Sequence, residues 1–382
     1  MDKTRDIKIS VRNLVEFVLR AGDLDMRFMG SSRAVEGTKA HQKIQKENSE
    51  KYSVLLNEKY LSEVSLKYKT IHNDITIVID GRADGILIKD GKVTVDEIKT
   101  VTKDIEFIKE DYNSLHWAQV KCYAYIYAVQ NNLTLINVQL TYYEINSEKI
   151  KRFVKAFSIN KLKEFFDGII SIYFVWANIT SEWNKKRDTT IKDLKFPFDS
   201  YREGQRELAV SVYRTIVEGK KMFVQAPTGI GKTISTLFPS IKAVGEGHTS
   251  KIFYLTAKTI TRQVAEDAFY KMKERGLEFK TITITAKDKL CFSKGSACNP
   301  EQCLFAKGHF DRVNDAIFDI LKNENTFSRE IIEMYSKKHK VCPFEFSLDL
   351  TLWADCVICD YNYVFDPRVY LKRFFTDNNG DY

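Results

Sequence analysis

The run Ala226-Pro-Thr-Gly-Ile-Gly-Lys-Thr233 constrains this chain more than any other eight residues in it. A short apolar stretch, KMFVQA, leads into it and a helical segment follows. Two glycines one residue apart let backbone N–H groups turn toward an anion, and a helix beginning at the Lys adds its positive end. Such a loop works only between a buried strand and a helix. Lys221–Ala226 is therefore expected to be a strand. KIFYLTA and ADCVICDYNYVF read as further buried strands, and GQRELAVSVYRTIVEGK and TRQVAEDAFYKMKERG as helices. That alternation predicts an α/β fold with a parallel sheet in the second half. In a loop of this kind Lys232 would reach the β- and γ-phosphates of ATP and the Thr233 hydroxyl would bind Mg²⁺. Thr228, Gly229 and Gly231 shape the cradle. Ala226 stands where the stricter pattern has Gly. Just upstream, Phe198, Tyr201, Arg202 and Gln205 offer an aromatic face, a cation and an amide that could hold an adenine base; alone they would read as an ordinary helix start.

Composition sets the outer limits. At roughly 150 residues per domain, 382 residues make two to three domains. Lys and Arg exceed Asp and Glu by 59 to 51, a net +8, which suits a polyanionic partner without identifying one. The N-terminus MDKTRDIKIS has no apolar signal core, and the longest uncharged run, Cys122 to Tyr143, carries Gln and Asn that lipid tolerates poorly. No membrane segment is expected, and the expected compartment is the cytoplasm.

The first half reads differently. Residues 1 to about 66 are expected to be helical, with Ser10 capping SVRNLVEFVLR and GTKAHQKIQKENSEKY a charged second helix. From about residue 73 the period becomes two. DITIVIDGRADGILI and KVTVDEIKTV flank Asp90-Gly91, a pair suited to the positive φ values of a two-residue hairpin turn. That turn pairs Lys89 with Lys92 and Ile88 with Val93, which brings Asp84 opposite Glu97. Lys99, two residues on, shares their face. Two carboxylates and a lysine at the edge of a buried surface can bind Mg²⁺ or Mn²⁺, activate water and steady phosphorane charge; they can also be a surface ion pair. Asp96 falls on the opposite face. The helix HWAQVKCYAYIYAVQ, the strand INVQLTYYEI and the helix KLKEFFDGIISIYFVWANIT follow. EWNKKRDTTIKDLKFPFDS reads as an interdomain linker.

Four of the seven cysteines, Cys291, Cys298, Cys303 and Cys342, gather in a polar stretch with gaps of six, four and 38 residues. Clustered cysteines without an export signal point to a metal rather than disulfides. No pair has C-x-x-C zinc spacing, and four thiolates can also hold an iron–sulfur cluster; zinc and unpaired buried thiols remain alternatives. Cys356 and Cys359 lie on opposite faces of a strand and Cys122 in an amphipathic helix, so all three read as core.

Two resemblances follow from these residues. The order YREGQ, APTGIGKT, YLTAKTITRQ, KLC, the cysteine stretch, VCPFE and ADCVICDYNYVFDPRV, over about residues 196–382, resembles the iron–sulfur superfamily 2 helicases of the XPD/DinG type. It implies a RecA-like motor domain from 186–287, a mostly helical insertion over 288–345 with a 4Fe-4S cluster on the four cysteines, and a return to the motor over 346–382. GTKAHQ, IDGRADGIL, VDEIKT and QVKCYAYIYA, over about residues 10–180, are similar to the RecB-type branch of the PD-(D/E)XK nucleases. That similarity implies a restriction-endonuclease-like mixed sheet with flanking helices over 1–185. It makes Asp84, Glu97, Lys99, Gln119 and Tyr123 catalytic, with His41, Asp84, Glu97 and Ile98 at the metal. Together they imply the first half of a nuclease–helicase acting on single-stranded or junction DNA in repair, moving 5′→3′. The rivals are a DNA-binding module with a degenerate nuclease and a plain ATP-dependent clamp. No acidic DEAH pair follows VICDYNYVF before Asn378-Asn-Gly-Asp-Tyr382, so the chain is expected to bind ATP–Mg²⁺ weakly and not to hydrolyse it at a motor's rate.

Overall fold

The structure, a computed structural model, describes residues 6–27, 33–53, 58–257, 259–295, 297–366, 369 and 371–375. The chain divides into two compact units. One comprises residues 1–20 and 29–181, the other residues 21–28 and 182–382.

The first unit is built on a mixed sheet of β1 (Ile7–Ser10), β2 (Glu58–His72), β3 (Ile75–Lys89), β4 (Lys92–Val101), β5 (Leu135–Glu144) and β6 (Ile150–Ser158), ordered β1-β3-β4-β5-β6 with β2 also on β3. The hairpin register is the expected one: Lys89 pairs with Lys92, and Ile88 with Val93. Asp90 and Gly91 both take positive φ, 48° and 70°. β4 and β5 run parallel, which needs a crossover, and α3 (Ser114–Gln130) supplies it. The α3 side chains meet the sheet face of Lys99 and Tyr142. On the other face Ala40 and Ile44 of α2 (Arg33–Ser53) pack on Ile98 and Tyr143. With both faces covered, β4 is buried from Thr94 to Ile98. Helix α1 (Val11–Leu19) begins at Ser10, whose Oγ accepts the Asn13 N–H at 3.1 Å.

Two expectations for this unit are corrected. Residues 1–66 are not all helical, because β1 and β2 fall among them, and β6 lies where the sequence pattern shows no strand. β2 and β6 pair on one side only, with β3 and β5 respectively. Their outward positions carry Lys, Glu and Arg, which blur the period-two signal.

The second unit holds a four-stranded parallel sheet, β7 (Ile252–Thr256), β8 (Thr281–Thr283), β9 (Thr326–Phe327) and β10 (Cys356–Asp360), in the order β7-β10-β8-β9. Its helices among the described residues include α5 (Gln205–Val217), α6 (Lys232–Glu246), α7 (Thr259–Glu274), α8 (Lys287–Leu290), α9 (His309–Asn323), α10 (Arg329–His339) and α11 (Pro343–Leu350). Cys356 and Cys359 are core residues, as is Cys122 in the first unit.

Two further corrections concern this half. The stretch read as a linker, residues 182–200, is in its first twelve residues the continuation of α4 (Ile159–Asp193), a helix of 35 residues, and only 194–200 are irregular. Its charged look hides a one-sided apolar contact, for Ile191 and the following Leu194 are buried in the second unit's core with Phe269, Phe279 and Ile358. Lys221–Ala226 is not a strand: Phe223 is fully exposed and Val224 half exposed. The Lys232 ammonium instead draws the Ala226 and Pro227 carbonyls back onto α6, at 3.0 and 2.8 Å. Met222, Phe223 and Val224 give too little apolar burial to oppose that.

Candidate functional sites

Beyond Gly85–Asp96 the ladder between β3 and β4 stops. The Asp84 side chain fills the gap: Oδ2 accepts the Ile98 backbone N–H at 2.7 Å, and Oδ1 lies 3.4 Å from His41 Nδ1 on α2. The Asp84 carbonyl is likewise withdrawn from the ladder and accepts the Gln45 side-chain amide at 2.9 Å. Glu63, opposite on β2, adopts φ of 53°, a costly conformation for a non-glycine residue.

Glu97 is 3% exposed. Its Oε1 meets Lys99 Nζ at 2.8 Å, and Lys99 also donates to Gln119 Oε1 on α3 at 3.0 Å. Glu97 Oε2 has no hydrogen-bond partner among the described residues. Burial raises the Glu97 carboxyl above the ordinary range, the charge of Asp84 adds to that, and Lys99 opposes it. Tyr123 on α3 is raised by burial and then by the charge of Glu97, and its hydroxyl is held by Gln119. At His41 burial favours the neutral ring, yet the bond to Asp84 and the nearby Glu97 outweigh it and raise the pKa. The structure thus gathers His41, Asp84, Glu97, Ile98, Lys99, Gln119 and Tyr123.

The glycines of IDGRADGIL have defined reasons. A Cβ at Gly81 would lie 2.8 Å from the Tyr123 ring, and one at Gly85 would overlap the Tyr60 hydroxyl. Tyr60 uses that space to reach Asp96 Oδ2 at 3.3 Å. Asp96 is on the opposite face, as expected, where Thr141 Oγ1 donates to it at 2.6 Å and burial pushes its carboxyl up to about 6. Sequence reasoning did not single out Gln45, Tyr60, Arg12, whose charge acts on Glu97, or His116, whose ring bonds the Tyr142 hydroxyl at 3.0 Å. Each is brought in by packing across the sheet, which spacing along the chain does not reveal.

In the second unit Gly229 and Gly231 take φ of 87° and 83°, and Lys232 begins α6. Arg202 donates to the Gly229 carbonyl, while the Arg202 N–H donates to Gln205 Oε1 at 3.0 Å. Gln205 is buried with its amide against Gly231. Tyr254 donates to Thr233 Oγ1 at 3.3 Å. Thr228 is in the turn of the loop. Arg202 and Gln205 therefore join the loop. The aromatic pair is engaged elsewhere: Tyr201 stacks on Phe196 at 3.9 Å, and Lys271 lies 5.0 Å over Phe198.

Cys291, Cys298, Cys303 and Cys342 line one cavity, with Leu24, Lys287 and Phe344 among the other walls. Burial pushes the Cys342 thiol up to about 11. Lys287 is raised: burial opposes its charge, and a hydrogen bond to Cys298 outweighs it. Among the described residues no group of three or more His, Cys, Asp and Glu side chains stands at metal-holding geometry. No helix among them is long and apolar enough to cross a membrane.

Sequence comparison bears on the second unit. Residues 206–306 match the family model of the DEAD/DEAH box helicases, and residues 272–378 match the DEAD_2 model. The second unit is thus similar in sequence to XPD-like DEAD/DEAH helicases. The general transcription and DNA repair factor IIH helicase subunit XPD of Dictyostelium discoideum is 24% identical over 201 residues, 46% of this chain and 26% of that protein. A probable ATP-dependent helicase of Methanocaldococcus jannaschii is 29% identical over 121 residues, 31% of this chain and 18% of that protein. The chain spans about a quarter or less of the length of these relatives. A solved structure titled XPD_Helicase aligns over 45% of this chain and 30% of its own at 18% identity, with a TM-score of 0.30, a likeness too low to carry weight.

Proposed function

We propose that this chain is part of a DNA helicase–nuclease: its first unit, a RecB-like nuclease, cleaves DNA with a divalent metal, and its second unit is an ATP-binding iron–sulfur motor domain. The observation that carries the nuclease reading is the Glu97 carboxylate, buried, with one oxygen on Lys99 and the other lacking a hydrogen-bond partner among the described residues, beside Asp84 and His41. A buried carboxylate with an unused oxygen is costly unless a cation or proton joins it. Mg²⁺ or Mn²⁺ takes donors of this chemistry, and His41, Asp84, Glu97 and the Ile98 main chain would have to draw together to hold it, since they do not stand at metal-holding geometry; bound there, it would supply an activated water and charge neutralisation at the phosphate. Lys99, kept in place by Gln119, faces the developing negative charge, and Tyr123 closes the site from α3.

The phosphate loop and the helicase relatives support ATP–Mg²⁺ at Lys232 and Thr233, with Arg202 and Gln205 behind the loop. A single cavity lined by four cysteines supports a 4Fe-4S cluster on Cys291, Cys298, Cys303 and Cys342, because thiolates are the donors such a cluster takes. DNA, single-stranded or at junctions, is the substrate that the relatives and the net charge favour.

The test is cleavage of an end-labelled single strand by the whole chain with Mg²⁺ or Mn²⁺. Cutting that disappears in Glu97→Gln and on chelation is the expected result. A wild-type chain that binds the strand and never cuts it leaves the rival reading, a DNA-binding module with a degenerate nuclease.

A further inference from the structure

Residues 21–27 follow α1 of the first unit in sequence, yet they group with the second unit and run along its cysteine stretch. Alternate backbone groups are tied. Gly22 N–H donates to Asp311 Oδ1 at 2.7 Å, and its carbonyl accepts the Phe310 N–H at 3.0 Å. Leu24 N–H donates to the Ala306 carbonyl and Met26 N–H to the Cys298 carbonyl, both at 2.9 Å. Asp23 Oδ1 in turn accepts the Gly308 N–H at 2.6 Å. Arg27 reaches Glu301 at 3.3 Å. The one apolar side chain turned fully inward is Leu24. It is buried with Ala306 and Cys342, Cys303 and Phe344 pack against that group, and Leu24 forms part of the wall of the cavity that all four cysteines share.

We infer that Ala21–Arg27 is a structural wall of the cysteine site, in which Leu24 keeps water and solutes from the thiols and from any metal–sulfur group they hold. The segment makes three main-chain bonds to the cysteine stretch, and one is to the carbonyl of Cys298 itself, so it fixes the loop that carries that thiol. An apolar shell around a metal–thiolate site governs solvent access and ligand exchange. The cysteine stretch is therefore completed by residues more than 260 positions earlier, which the order of motifs gives no reason to suspect. For its metal the inference rests on the iron–sulfur reading; for the thiols it does not.

Two measurements on the whole chain separate these. In metal-free protein, iodoacetamide labelling of each cysteine is followed by mass spectrometry. Leu24→Ser and Asp23→Ala should label at Cys303 and Cys342 about tenfold faster than wild type, with Leu24→Met close to wild type and Cys122 unchanged in all. In anaerobically prepared, iron-loaded protein, a soluble chelator should strip iron about tenfold faster from Leu24→Ser than from wild type. Equal labelling rates in Leu24→Ser and wild type overturn the inference. Accelerated labelling with no iron in wild-type protein upholds the wall and overturns the cluster. Circular dichroism identical to wild type is required of each variant, and Leu24→Ala replaces Leu24→Ser if the latter fails to fold.

Discussion

Arg187 and Asp355, 168 positions apart, form an ion pair at 2.7 Å in which both side chains are almost wholly buried. Asp355 Oδ2 also accepts the Trp183 indole N–H at 2.9 Å and the Lys280 backbone N–H at 2.7 Å. This network anchors the end of α4 beside β10. Removing one partner of such a pair strands the other's charge. We expect Asp355→Ala to cost the second unit about 3–5 kcal/mol, read as a lowered urea midpoint for that unit. A midpoint within error of wild type would mean that water reaches the pair.

The protonation of Glu97 gives a pH prediction. Its unfolded carboxyl titrates near 4.5, and the folded one titrates higher because it is buried beside Asp84. A raised folded pKa means that this group's stabilisation is complete below the unfolded value and is lost as pH climbs through the folded one. A divalent cation competes with that proton. The Mg²⁺- or Mn²⁺-induced rise in Tm of the first unit should therefore grow between about pH 6 and about pH 8.5, and Glu97→Gln should remove the growth. A metal-induced rise that is flat with pH in wild type counts against Glu97 as a ligand.

In the proposed nuclease Asp84, Glu97 and Lys99 serve one site. Alanine at any of them should reduce metal-dependent cleavage by at least about 100-fold while the fold is kept. Asp96→Ala should behave otherwise, losing stability through Thr141 and Tyr60 with cleavage by the folded fraction retained. Cleavage kept in Glu97→Ala and lost in folded Asp96→Ala would reverse the assignment of the two acids.

The two loop glycines should differ. Both have positive φ, where alanine costs about 1–2 kcal/mol. Around Gly229 a Cβ meets nothing, whereas at Gly231 it would collide with the buried Gln205 amide. Gly231→Ala should abolish binding of a fluorescent ATP analogue, as should Lys232→Ala, and Gly229→Ala should weaken it less. Equal losses for the two glycine variants would show that strain alone decides.

Anaerobic protein should show broad absorbance near about 400 nm and about four irons per chain. Cys291→Ser or Cys342→Ser should lose both, and Cys122→Ser neither. Stoichiometric zinc without iron would replace the cluster with a zinc site.

What could be read from sequence depended on how local its cause was. The β3–β4 hairpin is legible because Asp90-Gly91 sets its turn and alternating Ile and Val set its faces. Ser10 is legible as a cap for the same reason. β2 and β6 are not, since half of each strand points outward and carries charge. Lys221–Ala226 fails the other way: it has apolar residues but no strand beside it, and the Lys232 ammonium holds its end. At the candidate nuclease site the acids and Lys99 follow from the pleat. Gln45 and Tyr60 reach it only through the packing of α2 and β2, and nothing in their spacing marks them. The polar stretch after residue 181 misled because its apolar contacts, Ile191 and Leu194, are a minority among charges.

The hairpin turn has a further consequence. Asp96 and Glu97 are neighbours in sequence and point to opposite faces, one into a closed nest of hydroxyls, the other toward Lys99. The two-residue length of Asp90-Gly91, together with the parallel register of β4 on β5, decides which acid arrives on which side. One residue inserted there would shift β4 against β3 by a single step and exchange the two carboxylates. A point insertion some 6 residues from the nearest acid would thus silence this site without touching any residue in it, whereas a two-residue insertion would restore the facing and change only how far along the strand the acid stands.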